Sequence, residues 1–153
     1  MKIVSLVCIL VLGSAAYAQD TTRVAKTRVK SKGDIWAGDS VTITKPANGN
    51  TKEFEGIELY TKTRFQAVPL TWDSVTGEGF YEYTYTVGDF DAKPLPADYS
   101  NSKVRIISIK SFRDKENKLL TVFFCQGRKP NEVIWVYVEK AFFAGEIILP
   151  TTP

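Results

Sequence analysis

From residue 34 to residue 149 apolar and polar side chains alternate along much of the chain, and the apolar positions are rich in Val, Ile, Phe, Tyr and Trp. Successive side chains of a strand point to opposite faces, so this period of two predicts half-buried β-strands. A short strand is expected at Ile35 and Trp36, then one from Ser40 to Thr44, stopped by Pro46, which cannot donate to a ladder. Asn48-Gly49 suits a tight reversal, and Phe54–Thr61 resumes as a strand with Gly56 at a bulge. Residues 64–74 read as an irregular strand interrupted by Pro69. In "GFYEYTYTVGDF" the alternation predicts a strand with Tyr81, Tyr83, Tyr85 and Val87 on one face and Phe80, Glu82, Thr84 and Thr86 on the other. Residues 88–102, with Pro94 and Pro96, carry no regular pattern and read as a long loop.

The C-terminal third is clearer. "KVRIISIKSF" and "KLLTVFFCQG" form a hairpin across the charged turn "RDKEN", "RKPN" turns into the strand "EVIWVYV", and "EIIL" supplies a last short strand. Between the last two, "EKAFFAG" has room for a short helix with Gly145 as its stop. The sum is an all-β fold, a small antiparallel barrel or sandwich with one short helix near the C-terminus. A short helix before a final strand is similar in architecture to SH3-like barrels. No strand-helix-strand spacing appears, which argues against a parallel sheet.

The N-terminus changes the picture. Residues 1–18 carry Lys2, an apolar run from Ile3 to Leu12, and Ala16 and Ala18 in a small-x-small arrangement. This is the pattern of a secretory signal peptide, and the run is too short for a membrane-spanning helix. Cys8 lacks the preceding small residue of a lipid-attachment site. The organisation expected is a leader over 1–18, a basic arm over 19–33 and one β-rich domain over 34–150, in a protein that is exported, periplasmic or extracellular, and not membrane-spanning. Only Cys125 follows the leader, within "TVFFCQG", where it reads as an inert thiol in a strand and closes no internal bridge. Lys and Arg number 20 against 17 Asp and Glu, a net charge of +3, which lacks the basic excess of a nucleic-acid binder. The local excess at Arg23, Lys26, Arg28, Lys30 and Lys32 reads as a charged arm or edge strand, or as loose attachment to an anionic envelope surface.

The chain contains no histidine. That removes Ser-His-Asp and Cys-His catalysis and histidine-ligated zinc, and with a single cysteine after the leader no cofactor is implied. "TKPANGNTKEFEGIELY" has glycines, but an extended run follows them, so it lacks the helix N-terminus a phosphate cradle needs. Ser100 and Lys103 match Ser-x-x-Lys, yet at a loop-to-strand junction and not on the helix that pattern requires. Glu82, Asp89 and Asp91 can be drawn as an acid and a base about a sugar, as part of a calcium site, or as solvated turn acids.

The motifs "GDSVTI", Asn48, Gly49, Phe54 and Ile57 in "NGNTKEFEGI", "KVRIISIKSF" and "WVYVEKAFFAGEI" together resemble a family of small secreted or lipid-anchored β-rich proteins of Gram-negative, gut-type bacteria, whose function is uncharacterised. The shared positions are glycines, turn residues and strand apolar residues, so the resemblance implies a fold and transfers no functional residue. Candidate binding residues come instead from Tyr81, Tyr83 and Tyr85 with Trp72 nearby, a row that suits stacking on sugar rings or, equally, covering one side of a core. Two classes of function follow. One is a non-catalytic binding module for a glycan or an envelope protein, and the other a small carboxylate-dependent glycoside hydrolase.

Overall fold

The computed structural model of the protein describes residues 27–28, 34–47, 52–63, 71–85 and 89–150. The leader, most of the basic arm, the Asn48-Gly49 corner and the stretch around Pro69 lie outside the described residues. The chain is mostly β. Strands β3 (Ser40–Ile43), β4 (Glu53–Lys62), β5 (Phe90–Pro96), β6 (Ser102–Arg113), β7 (Leu119–Gln126), β8 (Glu132–Tyr137) and β9 (Ile147–Ile148) form one sheet in the order β5-β4-β8-β7-β6-β3-β9. Every neighbouring pair is antiparallel, and the sheet curls into a half-barrel. A separate two-residue ladder pairs β1 (Thr27–Arg28) with β2 (Asp34–Ile35).

Two expectations are corrected. The tyrosine strand is a helix, α1 (Phe80–Tyr85), so Tyr81, Tyr83 and Tyr85 do not share a face. Phe, Tyr and Thr favour strands when read locally, but here the segment lies across the outer face of the sheet, and a helix turns Phe80, Tyr81, Thr84 and Tyr85 toward one side. Gly77 and Gly79, at φ of 72° and 75°, turn the chain into it, and the first helical bond runs from Tyr83 N–H to the Gly79 carbonyl at 2.9 Å. The Pro-rich loop is likewise a strand. β5 lies at the edge of the sheet, with only β4 beside it, where a residue without an N–H is tolerated, and a 3-10 turn (Ala97–Tyr99) follows.

The concave face holds the larger core. Ile43, Ile57, Ile106, Phe123, Cys125, Ile134 and Val136 meet there, all with no exposed surface, and α2 (Val138–Phe143) closes it through Val138 and Ala141. The helix lies so close to β4 that a Cβ on Gly56 would stand 2.6 Å from the Ala141 nitrogen. Gly145, at φ of 71°, ends α2 as expected. Cys125 is buried, and burial pushes its thiol pKa upward, away from the reactive range.

One buried carboxyl group holds this face together. The register of β4 against β5 shifts between Glu53 and Glu58, where the ladder leaves backbone N–H groups without strand partners. Glu146, with no exposed surface, takes them. Its Oε1 accepts from Glu55 N–H at 2.8 Å and Ala47 N–H at 3.3 Å, and its Oε2 from Gly56 N–H at 2.9 Å. Lys140 Nζ also donates to the Glu55 carbonyl at 2.7 Å.

Candidate functional site: an aromatic-walled cleft on the outer face

The outer face of the same sheet is aromatic. Trp135 on β8 stacks on Tyr60 of β4, with centroids 5.1 Å apart, and on Phe112 of β6, 5.9 Å apart. Phe124 and Tyr85 meet it edge-on at 4.9 and 5.2 Å. Tyr81 and Tyr85 bring α1 into this cluster, and Lys110 pins the helix from outside, its Nζ paired with Glu82 and lying 4.3 Å from the Tyr81 ring centre. The Lys110 hydrogen bond holds the Glu82 carboxyl below its ordinary pKa, so it stays ionised and engaged in tying α1 to β6. Tyr60 donates to Glu58 Oε2 at 3.1 Å, and burial first, then the Glu58 charge, drives its phenol pKa upward. The Tyr85 hydroxyl and the Trp135 indole N–H are buried without a hydrogen-bond partner among the described residues. Packing here is achieved with two polar groups left over, each costing about 1–3 kcal/mol.

Toward the β7–β8 end of this face the cover is incomplete, and a cleft of about 440 Å³ opens. Trp72, Phe80, Tyr83 and Phe90 wall it, Val133 and Ile107 lie on its floor, and Lys62, Arg105 and Lys129 stand around it. Trp72 and Phe80 pack edge to face, with centroids 4.9 Å apart. Tyr83 is 39% exposed and points away from the aromatic cluster, as its place on a helix between Tyr81 and Tyr85 requires. Lys62 Nζ lies 5.6 Å from the Tyr83 ring centre and 5.7 Å from that of Phe90.

The loop before α1 is set by its own turn chemistry. Asp73 Oδ1 accepts from Val75 N–H at 2.7 Å and Thr76 N–H at 3.0 Å, and these bonds, Thr76 first, lower the Asp73 pKa. Gly77 then approaches the bulge of β6 so closely that a Cβ there would lie 2.0 Å from the Ile107 carbonyl oxygen. Trp72 is positioned by this anchored loop.

Glu132 opens β8 beside the cleft. Its Oε1 lies 3.2 Å from Lys129 Nζ, while Oε2 accepts from Lys129 N–H at 3.1 Å and from the Tyr99 hydroxyl at 3.2 Å. Burial works to raise the Glu132 pKa, yet these hydrogen bonds outweigh it and hold the carboxyl below its ordinary value.

Of the residues singled out by sequence, Trp72 and Tyr83 line the cleft, whereas Tyr81 and Tyr85 belong to the packed cluster beside it. Asp89 and Asp91 are exposed at the start of β5, and Asp89 uses its carbonyl oxygen for Thr63 at 3.0 Å. Ser100 follows the 3-10 turn and Lys103 lies on β6. No cluster of three or more acidic or cysteine side chains fit for a metal occurs among the described residues. Sequence reasoning missed Phe80, Phe90, Lys62, Arg105 and Lys129, which come from α1, two strands of one edge, a third strand and a turn. The signal available in the sequence was the outward register of Tyr60 and Lys62 on β4.

The molecule is thus an antiparallel half-barrel with an aliphatic inner core and an aromatic outer face that is open at one end. No known family model matches the chain, and no match is found among curated proteins or solved structures. Among the described residues no helix is long and apolar enough to cross a membrane.

Proposed function

We propose that the protein is an exported, non-catalytic binding module and that it takes a carbohydrate in the outer-face cleft. The observation that carries this reading is the wall of Trp72, Phe80, Tyr83 and Phe90 around a space of about 440 Å³. Flat aromatic faces stack on the apolar side of a sugar ring, and a volume of that order falls within the usual range for a small-ligand site. Polar groups converge on the same space: Gln126 and Asn131 offer amides, and Ser74 a hydroxyl. Export rests on the leader pattern of residues 1–18.

The test is titration of the purified protein against bacterial, plant and host glycans, with Trp72→Ala and Tyr83→Ala run beside it and their folding followed by circular dichroism. Saturable binding that each substitution weakens about tenfold or more in a folded protein supports the module and its site. Silence across the panel retires carbohydrate and moves the proposal to an envelope protein partner. Shortened oligosaccharide products would retire the non-catalytic reading in favour of a glycoside hydrolase.

A further inference from the structure

The outer-face cleft does not end at its aromatic wall. Arg105 and Gln126 also line a second depression of about 410 Å³, so the two spaces adjoin. The second is bordered by Lys103, Arg128 and the ring of Tyr99. Across both linings the basic side chains are Lys62, Lys103, Arg105, Arg128 and Lys129, and the acidic one is Glu132.

Two of those cations are already matched. Glu132 holds Lys129 at 3.2 Å, and Asp98 holds Arg128 Nη1 at 2.7 Å while Arg128 covers the Tyr99 ring at 3.9 Å. Lys103 and Arg105 are different. Both are exposed, both lie on β6 at positions i and i+2 and so project from the same face, and neither has an ion pair among the described residues. Their separation along the strand is about 7 Å. Two unmatched cations in a row, leading away from an aromatic pocket, suit a chain that bears an anion on successive units beyond the ring that stacks.

We infer that the ligand is an acidic oligosaccharide, one sugar ring held between Trp72 and Tyr83 and its carboxylate or sulfate groups extended along Arg105 and Lys103. This rests on the carbohydrate reading above. Arg105, at the junction of the two spaces, is the residue that selects for charge, and the aromatic wall supplies affinity common to neutral and acidic sugars.

Calorimetric titration separates these roles. The probes are oligogalacturonate, a chondroitin sulfate oligosaccharide, neutral xylo- and manno-oligosaccharides of similar length, and oligothymidylate as a polyanion that offers flat bases in place of pyranose rings. Binding of at least one acidic oligosaccharide about tenfold tighter than the neutral ones is expected, and Arg105→Gln should lower acidic affinity far more than neutral affinity and so close that gap. Lys103→Gln should act in the same direction, and high salt should erase the preference while sparing neutral binding. Which acidic probe leads distinguishes carboxylate from sulfate. Equal affinity for acidic and neutral sugars, insensitive to Arg105→Gln, overturns the acidic ligand and leaves the carbohydrate module standing. Tighter binding of oligothymidylate overturns the glycan altogether, and absence of binding to every probe removes both this inference and the carbohydrate reading on which it rests.

Discussion

The two faces of one sheet are built on opposite terms. The concave face is mostly aliphatic, has Phe123 and Ile134 fully enclosed, and accounts for its awkward backbone amides through Glu146. The outer face is aromatic, leaves Tyr83 partly in solvent, and strands the Tyr85 hydroxyl and the Trp135 N–H. Complete burial with satisfied polar groups is what gives a protein its stability, whereas half-buried rings beside unmatched cations remain available to something else. The division of labour follows from the strand itself, because alternate side chains of β7 go to opposite faces: Phe123 and Cys125 inward, Val122 and Phe124 outward.

Truncation tests this division most severely at Phe123. Phe123→Ala should cost about 3–5 kcal/mol in urea unfolding, the range for emptying a closed core. A cost of under about 1 kcal/mol would mean that the concave face is not the main core. Glu146→Gln should follow at about 2 kcal/mol, since the new amide group turns a donor toward at least one backbone N–H that the carboxylate had accepted. An unchanged unfolding midpoint would show that those amides find other acceptors. On the outer face, Tyr81→Ala removes a half-buried ring within 5.3 Å of Tyr85 and 5.5 Å of Phe112, and should cost about 1–2 kcal/mol, clearly less than Phe123→Ala. A larger loss at Tyr81 would invert the comparison.

Glu132 gives the smallest effect and one that depends on pH. Its pKa is lowered in the folded protein, so its contribution is present above the unfolded value of about 4.3 and disappears as pH falls through the folded value. Glu132→Gln should therefore destabilise by about 1 kcal/mol at neutral pH, with the gap to the parent protein closing on acidification. Urea midpoints at neutral and acid pH measure that gap, and one that widens in acid would reverse the sign assigned here.

Much of this architecture was legible in the alternation of β6, β7 and β8, whose partners are neighbours in sequence, joined by short turns. The helix α1 was not, because Phe80 to Tyr85 alternate like a strand and are mostly strand-favouring residues, whereas in the fold they cover Phe124 and Trp135 as a helix. β5 was hidden by Pro94 and Pro96, which argue against a strand everywhere except at an edge. Of the aromatic wall of the candidate site, Trp72 and Tyr83 could be named from their chemistry, and Phe80 and Phe90 could not. The cationic half could not, since Lys62, Arg105 and Lys129 are brought to one end of a face by strand order, and strand order is a property of long-range pairing.

That strand order also fixes when the molecule can assemble. β3 and β4 follow one another in the chain, yet β3 lies between β6 and β9, and β4 between β5 and β8. Neither can pair with the other, and the Glu146 bonds to residues 47, 55 and 56 span 90 to 99 positions. β3 must therefore wait for β6, and β4 for β5 and β8, before either finds a strand partner, and the Glu146 contacts close last. Such dependence on distant contacts makes for slow folding. For that interval the edges of β3 and β4 stay open to whatever else the chain meets.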